Sequence, residues 1–325
     1  MPVYNEECHI EGCIESLLKQ DYPREKMELL FVDGNSSDNT FFILQKYQKL
    51  YPGFIKVLSN PRRTIPCGCN MGIRAAQGDY IIRLDAHAKY ADNYISKCVQ
   101  YLSTTDIDNV GGFAKTEAKG YIGEAISKIL SSAFGVGNAR FRIGGKSGEA
   151  DTVPFGAFKR EVFEKYGMFD ERLDRNEDNE LNDRIKKNGG KIYLAEDIRF
   201  TYYCRDSLSK LAKMAFSNGK WNFVTNRIHK GTMGIKYFVP FLFLLSILLA
   251  PLCIILLPWS AYLFFAEAVM YFLLDICFCI KDCGKIKYIP AMIFLFPFFH
   301  LSYGAGTLCA LFISGRTLKK QAVRE

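Results

Sequence analysis

The chain has 325 residues, enough for one large domain or two ordinary ones. Hydrophobic residues make up 49% and charged residues 23%, which excludes a low-complexity or disordered chain. Residues 1–235 hold 34 Lys and Arg against 30 Asp and Glu, and residues 236–325 hold 8 against 4, so each part contributes +4 to the net charge of +8. The first part is therefore polar and charge-rich, whereas the second is largely apolar.

Apolar runs alternate with helical patterns along the first part of the chain. The predicted strands are Leu29–Val32, Ile55–Leu58 and Tyr80–Leu84, and the predicted helices are residues 11–19, 40–50 and 67–76. This alternation predicts an α/β fold, a mostly parallel sheet flanked by helices, with a truncated first strand because only Met1 precedes Pro2. Open sheets of this kind bind ligands at the carboxyl ends of their strands, where Asp33 and Asp85 lie.

The second part opens with a long apolar stretch in which the only charged residues are Glu267 and Asp275. A helix needs about 20 apolar residues to cross a bilayer, so this stretch predicts two spans, at 237–257 and 260–280. The alternative is a helical hairpin buried in a soluble protein, although soluble core helices are rarely apolar on every face. A third apolar run, 288–313, contains prolines and glycines and predicts either a third span or a re-entrant helix pair.

Basic clusters flank the third apolar run on both sides. Lys281, Lys285 and Lys287 precede it, and four Lys and Arg residues between 316 and 324 follow it. The positive-inside rule would assign both clusters to the cytoplasm, which one straight crossing does not satisfy. Because these charges border apolar spans, anionic membrane lipid explains them more simply than nucleic acid does.

Four motifs follow one another along the first part of the chain. They are PVYNEE at residues 2–7, VDGNSSDNT at 32–40, NMGIRAAQGDY at 70–80 and RLDAH at 83–87. In order and spacing they resemble the motifs of family 2 inverting glycosyltransferases. The resemblance covers about residues 1–230 and, with the apolar tail, extends to the membrane-anchored bacterial enzymes of succinoglycan and exopolysaccharide synthesis. It implies a GT-A-like fold and a nucleotide-sugar donor.

The resemblance also implies which residues meet the donor. The residues expected to bind the nucleotide sugar are Pro2, Tyr4, Glu6, Asp33, Asn70, Arg74 and Asp85. In the family, a carboxylate at the place of Asp33 bonds the base, and the N3–H of uracil is a matching donor. Asn70 and Arg74 are one helical turn apart and share a face. Either Arg74 or Arg83 could contact phosphate, although an exposed helical arginine often has no such role.

A metal ion is expected beside the phosphates of the donor. Charge develops on the leaving diphosphate during sugar transfer, and a divalent cation usually neutralises it. Asp85 and His87 lie at positions i and i+2 after a strand, so their side chains can turn to one side and hold Mg²⁺ or Mn²⁺. The alternative for both is a solvated turn. The family has a second Asp where this chain has His87, and imidazole favours Mn²⁺ relative to a pair of carboxylates.

The motifs of the second half are those expected on the acceptor side. VPFGAF occupies residues 153–158 and includes Gly156, and NEDNE occupies residues 176–180. An acceptor hydroxyl has a pKa far above 7, so a carboxylate must take its proton as the new bond forms. In the family this base is the Asp of a Glu-Asp pair, which implies Asp178 as the catalytic base and Glu177 as its support.

Residues 207–235 form an amphipathic, basic segment directly before the first apolar run. Such a segment is typical of the lipid interface, with Trp221 at headgroup depth. Lys220 and Trp221 loosely resemble an Arg-Trp element of the family and could bind the diphosphate of the acceptor or the donor. The predicted domains are therefore a catalytic domain at 1–206, this interfacial segment, and a membrane region at 236–325.

Together these patterns predict a metal-dependent hexosyltransferase of the inner, cytoplasmic membrane. It would move one hexose from a UDP-linked sugar to a lipid-linked oligosaccharide or polysaccharide, with several spans and a cytoplasmic catalytic domain. The eleven cysteines show no even framework of spacings, which fits a reducing compartment. Two alternatives stay open: a non-catalytic, membrane-anchored nucleotide-sugar-binding protein, and a processive polysaccharide synthase, for which two or three spans enclose little space.

Overall fold

The chain folds into two compact units, described here from a computed structural model of residues 1–313. The sheet unit comprises residues 1–115 and 144–202, and the helical unit comprises residues 116–143 and 203–313. The predicted basic cluster at 316–324 lies outside the described residues.

Short strands and helices alternate in the sheet unit, whereas long helices make up most of the helical unit. The strands are β1 (Pro2–Val3), β2 (Leu29–Asp33), β3 (Ile55–Ser59), β4 (Tyr80–Ile82), β5 (Ala88–Tyr90), β6 (Asn109–Glu117), β7 (Gly148–Glu149), β8 (Ala157–Lys159) and β9 (Ile192–Tyr203). The α-helices are α1 (Ile10–Leu18), α2 (Thr40–Leu50), α3 (Ile65–Ala75), α4 (Tyr94–Thr104), α5 (Gly120–Ile129), α6 (Ala133–Val136), α7 (Arg140–Ile143), α8 (Glu161–Tyr166), α9 (Glu177–Lys187), α10 (Leu208–Ile228), α11 (Val239–Leu256), α12 (Ser260–Asp282) and α13 (Ile289–Leu311). The predicted strands and helices of the first 85 residues all occur, close to their predicted bounds.

The first sheet is parallel and has the order β1-β2-β3. β1 is two residues long, and it pairs Val3 with Asp33 of β2. The pairing is extended by a hydrogen bond from the backbone N–H of Gly34 to the carbonyl of Val3, 2.8 Å long. The carboxyl ends of β1 and β2 therefore lie side by side and present Tyr4 and Asp33 at one edge of the sheet.

The second sheet has the order β4-β8-β6-β9-β5, with β7 also paired to β9. Its pairs β4–β8, β6–β8, β5–β9 and β7–β9 are antiparallel. The mostly parallel arrangement predicted from the sequence therefore describes the first sheet but not the second. The reason is that β8 and β9 pair with strands far away in the chain, and short apolar runs carry no information about strand direction.

Helices α5 and α6 belong to the helical unit, although the predicted catalytic domain at 1–206 included them. Ile126 and Ile129 of α5 are fully buried in one apolar cluster with Met292 and Phe296 of α13. The same cluster contains Leu211 of α10. Burial against the last helix explains why residues 116–143 group with the helical unit and not with the sheets.

Three helices of the described chain are long and apolar enough to span a membrane: Ile235–Leu256, Ser260–Asp282 and Ile286–Leu311. The first two coincide with the two predicted spans. Helix α13 runs without interruption through Pro297, so the third apolar run is one helix and not a helix pair. Half of this third segment is buried within the protein, whereas none of the first is.

Candidate active site

Arg83 brings three carboxylates of the sheet unit together. Its Nη2 lies 3.3 Å from Asp85 Oδ1 and 3.2 Å from Glu177 Oε1, and its Nη1 lies 4.0 Å from Asp178 Oδ2. The guanidinium side chain is only 10% exposed. The backbone N–H of Arg83 donates to the carbonyl of Gly156, 3.0 Å away, which continues the pairing of β4 with β8. The predicted metal-binding carboxylate and the predicted base pair therefore surround one buried cation.

Burial and the neighbouring charges shift the pKa of Arg83 in opposite directions. Burial lowers the pKa of Arg83, but Asp85, Glu177 and Asp178 raise it, and the net result lies well above the ordinary value. Burial raises the pKa of Glu177 to about 7, with Asp178 adding to the rise and Arg83 opposing it. At neutral pH, Glu177 can therefore hold or release a proton beside the aspartate of the pair.

The Glu-Asp pair lies at the start of α9. Asn176, directly before the helix, has a left-handed backbone with φ of 64°, which turns the chain so that Glu177 points inward and is 4% exposed. Asp178 is 34% exposed at the side chain, and its Oδ1 accepts the backbone N–H of Asn179 at 2.8 Å. Glu177 is thus held inside the protein while Asp178 faces solvent, as a base that meets a substrate hydroxyl must.

Tyr90 fixes the backbone of Asp85, a contact that the sequence did not reveal. The Tyr90 hydroxyl accepts the N–H of Asp85 at 2.8 Å and donates to its carbonyl at 3.0 Å. The ring is 1% exposed and packs edge-on against Tyr94, with ring centroids 4.8 Å apart. A tyrosine in a short strand gives no sequence signal for such a role, because core packing alone would explain it.

His87 lies near the start of β5 with its ring held on two sides. Its Nδ1 is 3.0 Å from Glu6 Oε1, and its ring meets that of Tyr202 edge-on at a centroid distance of 5.2 Å. A carboxylate only accepts hydrogen bonds, so Nδ1 carries the hydrogen, and in the neutral imidazole the lone pair is then on Nε2. That tautomer is the one that would bind a metal ion through Nε2.

Asp85 and His87 are of the residue types that can hold a divalent cation together with a substrate phosphate. Within residues 1–313, no group of three or more His, Cys, Asp or Glu side chains is arranged to hold a metal ion. Mg²⁺ and Mn²⁺ in nucleotide sites are commonly held by one or two protein side chains and completed by phosphate and water. A carboxylate oxygen from Asp85 and the imidazole nitrogen of His87 match that pattern.

The residues predicted to meet the nucleotide base lie at the edge of the first sheet. Pro2 packs against α3, where a Cβ on Gly68 would come within 2.9 Å of it. Tyr4 is 46% exposed, and the guanidinium of Arg63 lies 5.9 Å from the centroid of its ring. Asp33 is 3% exposed and accepts a 2.6 Å hydrogen bond from the hydroxyl of Ser36. Tyr4 and Arg63 together offer an accessible aromatic and cationic surface.

Asn70 and Arg74 share the predicted helix face, and that face meets Glu171. The Asn70 amide donates to the carbonyl of Phe169 and to Glu171 Oε1, both at 2.9 Å, and its own oxygen accepts the N–H of Phe169. Arg74 is 3.9 Å from Glu171 and 59% exposed at the side chain, and Arg62 also pairs with Glu171. These bonds join α3 to the loop before α9. Asn70 is 2% exposed, so the bonds lie inside the protein.

Gly156, Lys220 and Trp221 were predicted on the acceptor side. Gly156 is buried, and a Cβ there would lie 2.7 Å from the ring of Phe158. Lys220 and Trp221 lie on α10 of the helical unit, with the ammonium of Lys220 5.8 Å from the indole centroid. Trp221 is only 5% exposed, so protein encloses the indole that the sequence suggested for the headgroup region.

The sequence matches a known family and several known relatives. The model of the family described as Glycosyl transferase family 2 matches residues 1–167. The dolichyl N-acetyl-alpha-D-glucosaminyl phosphate 3-beta-D-2,3-diacetamido-2,3-dideoxy-beta-D-glucuronosyltransferase of Methanococcus voltae is 30% identical over 256 residues, which are 76% of this chain and 78% of the relative. The succinoglycan biosynthesis protein ExoA of Rhizobium meliloti strain 1021 is 28% identical over 242 residues, 74% of this chain and 73% of the relative.

A solved structure resembles almost the whole chain. The mannosyltransferase PcManGT from Pyrobaculum calidifontis, solved with GDP-Man and Mn²⁺, covers 96% of this chain and 85% of its own, with a TM-score of 0.63 and 18% sequence identity. At that identity the likeness establishes the fold, which is the GT-A-like α/β fold followed by C-terminal helices that the motifs implied.

Proposed function

Because this chain belongs to glycosyl transferase family 2, we propose that it moves one hexose from a UDP-linked sugar to a lipid-linked oligosaccharide or a polysaccharide, with inversion at the anomeric carbon. Family membership makes the protein a glycosyltransferase, and the donor, the acceptor and the single addition are the proposal. The names of two relatives support the acceptor class, since one acts on a dolichyl phosphate and the other belongs to succinoglycan biosynthesis.

The observation that carries the proposal is the grouping of carboxylates around Arg83. Asp85 and Glu177 both lie within 3.3 Å of the same guanidinium nitrogen, and Asp178 lies 4.0 Å from the other terminal nitrogen. A donor phosphate beside Asp85 and an acceptor hydroxyl beside Asp178 would therefore lie close enough to react at one anomeric carbon.

In the proposed step, the oxygen of the acceptor hydroxyl attacks the anomeric carbon in line with the bond to phosphate. The hydroxyl proton passes to the carboxylate of Asp178 as the new carbon–oxygen bond forms. The bond between the anomeric carbon and the phosphate oxygen breaks, and its electron pair leaves with the nucleoside diphosphate. Glu177 and Arg83 hold the aspartate in place and set the charge around it.

The proposed metal site uses Asp85 and His87, which lie between β4 and β5. A divalent cation, Mn²⁺ or Mg²⁺, would be held by Asp85 and His87 and would neutralise the charge that develops on the leaving diphosphate. Tyr90 supports this role because its hydroxyl fixes both backbone polar groups of Asp85. The donor pocket of the proposal is the edge of the first sheet, where Tyr4 is exposed and Asp33 ends β2.

Asp178→Asn tests the assignment of the base. The variant keeps the shape of the side chain but is too weak a base to take the proton, so the transfer rate should fall about 10²–10⁴-fold. UDP-sugar binding should change little, and both are measured on purified protein with a panel of nucleotide sugars. Asp183→Asn is the matched control, because Asp183 lies on the same helix and pairs with Lys187.

Three results would contradict parts of the proposal. Unchanged transfer by Asp178→Asn would remove Asp178 from the mechanism. Donor binding without transfer by the wild-type protein, across the panel of sugars and acceptors, would favour the nucleotide-sugar-binding alternative. Long polymer made from one defined acceptor by single molecules would favour the processive synthase.

For the location, the proposal is a multi-pass protein of the inner membrane with its sheet unit in the cytoplasm. Two crossings return the chain to its starting side at Lys281, Lys285 and Lys287, which the positive-inside rule assigns to the cytoplasm. Cys8 in the sheet unit is exposed and offers a test. A membrane-impermeant maleimide should label it in inverted vesicles but not in spheroplasts, with Cys8→Ser as the control, and the reverse pattern would refute this orientation.

A further inference from the structure

Glu6 was expected to line the nucleotide pocket, but in the structure its carboxylate contacts His87. Glu6 Oε1 lies 3.0 Å from His87 Nδ1. The two side chains are 20% and 16% exposed, so most of each is shielded from water. Partial burial strengthens this hydrogen bond, because water competes less for the Glu6 carboxylate and for the His87 N–H.

The backbone of Glu6 is fixed at both of its polar groups. Its N–H donates to the hydroxyl of Thr40 at 2.7 Å, and its carbonyl accepts the N–H groups of His9 and Ile10, each at 2.9 Å, where α1 begins. Thr40 is itself fully buried at the start of α2. The carboxylate that meets His87 therefore stands on a rigid base, at the junction of two helices.

The ring of His87 has only one nitrogen left for a metal ion. Because Glu6 accepts from Nδ1, the lone pair of the neutral imidazole is on Nε2. Tyr202 lies edge-on against the ring and restricts its rotation. A carboxylate on the remote nitrogen of a metal-binding histidine fixes the tautomer and makes the ring a stronger ligand.

We propose that Glu6 is a positioning residue, which acts on the divalent cation through His87 by holding the ring with Nε2 available for binding. This inference rests on the proposed function only for the cation at Asp85 and His87. It assigns the carboxylate of Glu6 to the histidine and not to the nucleotide base.

The test measures Mn²⁺ binding in the presence of UDP, by the electron paramagnetic resonance signal of unbound Mn²⁺, and needs no sugar transfer. Loss of the remote carboxylate in Glu6→Ala should weaken Mn²⁺ binding about 10–100-fold. Glu6→Gln retains an oxygen that can accept from Nδ1 but loses the negative charge, so its Mn²⁺ binding should weaken less than that of Glu6→Ala. Glu6→Asp keeps the charge but is one methylene too short for the contact, and it should be weakened like the alanine variant.

Two controls separate positioning from charge and from nucleotide contact. Glu7→Ala removes the neighbouring carboxylate, which is exposed and bonds Asn39, and it should leave Mn²⁺ binding unchanged. In a His87→Ala background, Glu6→Ala should produce no further loss. UDP binding in EDTA should be the same for Glu6→Ala and wild type, which also establishes that the variant is folded.

Several outcomes would overturn the inference. They are no Mn²⁺ binding by the wild type, unchanged binding in both Glu6→Ala and Glu6→Asp, an equal loss with and without His87, or a loss of UDP binding in EDTA. The proposed function fails separately. Coupling of Glu6 to His87 without sugar transfer would refute only the function, and transfer without the coupling would refute only this inference.

Discussion

The carboxylates of the sheet unit and of the helical unit have different partners. In the sheet unit, Asp85 and Glu177 approach one buried guanidinium, that of Arg83. In the helical unit, Glu267 accepts from the hydroxyl of Ser246 at 2.7 Å, and Asp275 accepts from the thiol of Cys279 at 3.2 Å.

The comparison shows what each unit uses its polar groups for. Clustered ionic charge is expensive to bury, and replacing such groups by apolar ones often stabilises a protein. A gain in stability therefore does not explain the cluster around Arg83. In the helical unit, Glu267 and Asp275 instead each accept a hydrogen bond within long apolar helices, and Asp275 Oδ2 has no hydrogen-bond partner among residues 1–313.

The largest effect is expected for Arg83→Met, which leaves buried carboxylates without their cation. Removing one partner of a buried ionic group costs about 3–5 kcal/mol, so the unfolding free energy should fall by that amount. The measurement is urea unfolding of the protein in detergent, with sugar transfer in parallel. Arg172→Met is the matched control, because Arg172 is 52% exposed in its pair with Asp170. Equal stability of the two variants would mean that Arg83 is not the centre of the site.

A similar test in the helical unit concerns the close contact between the backbones of two helices, and not charge. A Cβ on Gly219 of α10 would collide with the carbonyl of Tyr303 in α13. Gly219→Ala should therefore lower the unfolding free energy by about 3 kcal/mol, the upper range for overpacking. Gly234→Ala is the control, since no atom lies within 4 Å of the added methyl group. If both variants unfold like wild type, the two helices do not depend on this close contact.

A smaller effect is expected for the pH dependence of stability. The folded protein raises the pKa of Glu177 from 4.5 to about 7 and so holds this proton more tightly than the unfolded chain does. The stability contributed by Glu177 is therefore complete below about pH 4.5 and is lost as the pH rises through about 7. The titratable groups around it are Arg83, Asp85, Asp178 and Cys69.

Glu177→Gln should remove this loss, so that between pH 5 and 8 the variant loses about 2 kcal/mol less stability than wild type. The measurement is the urea midpoint as a function of pH. Glu164→Gln changes an exposed carboxyl on α8 and should follow the wild-type curve. Parallel curves for Glu177→Gln and wild type would show that Glu177 does not titrate in this range.

The sequence identified the local elements and the motif residues well, because both depend on short patterns. Asp33 ends β2 as the apolar run predicted, Asp85 follows the end of β4 by three residues, and the family match confirmed the resemblance of the motifs. Arg83 was considered only as a phosphate contact. Its position among three carboxylates depends on α9, almost a hundred residues later in the chain. No local sequence pattern shows that Arg83 and α9 are close in space.

Long-range pairing limited the rest of the prediction. Helical spacing correctly put Asn70 and Arg74 on one face, but it could not tell that this face meets Phe169 and Glu171. The direction of β8 and β9 was equally hidden, since an apolar run reads the same in a parallel or an antiparallel pair. The packing of α5 against α13 was not visible in the sequence either, because the two helices are more than 150 residues apart.

The partnership of α13 with earlier helices has a consequence for biosynthesis. Ile126 and Leu211 leave the ribosome long before Met292, yet all three share one apolar cluster. Until residues 289–311 have been translated, α5 and α10 lack the helix that contributes the largest share of this cluster, and their apolar faces stay more exposed. The helical unit therefore completes its packing only after α13 has been made, however early the first sheet has formed.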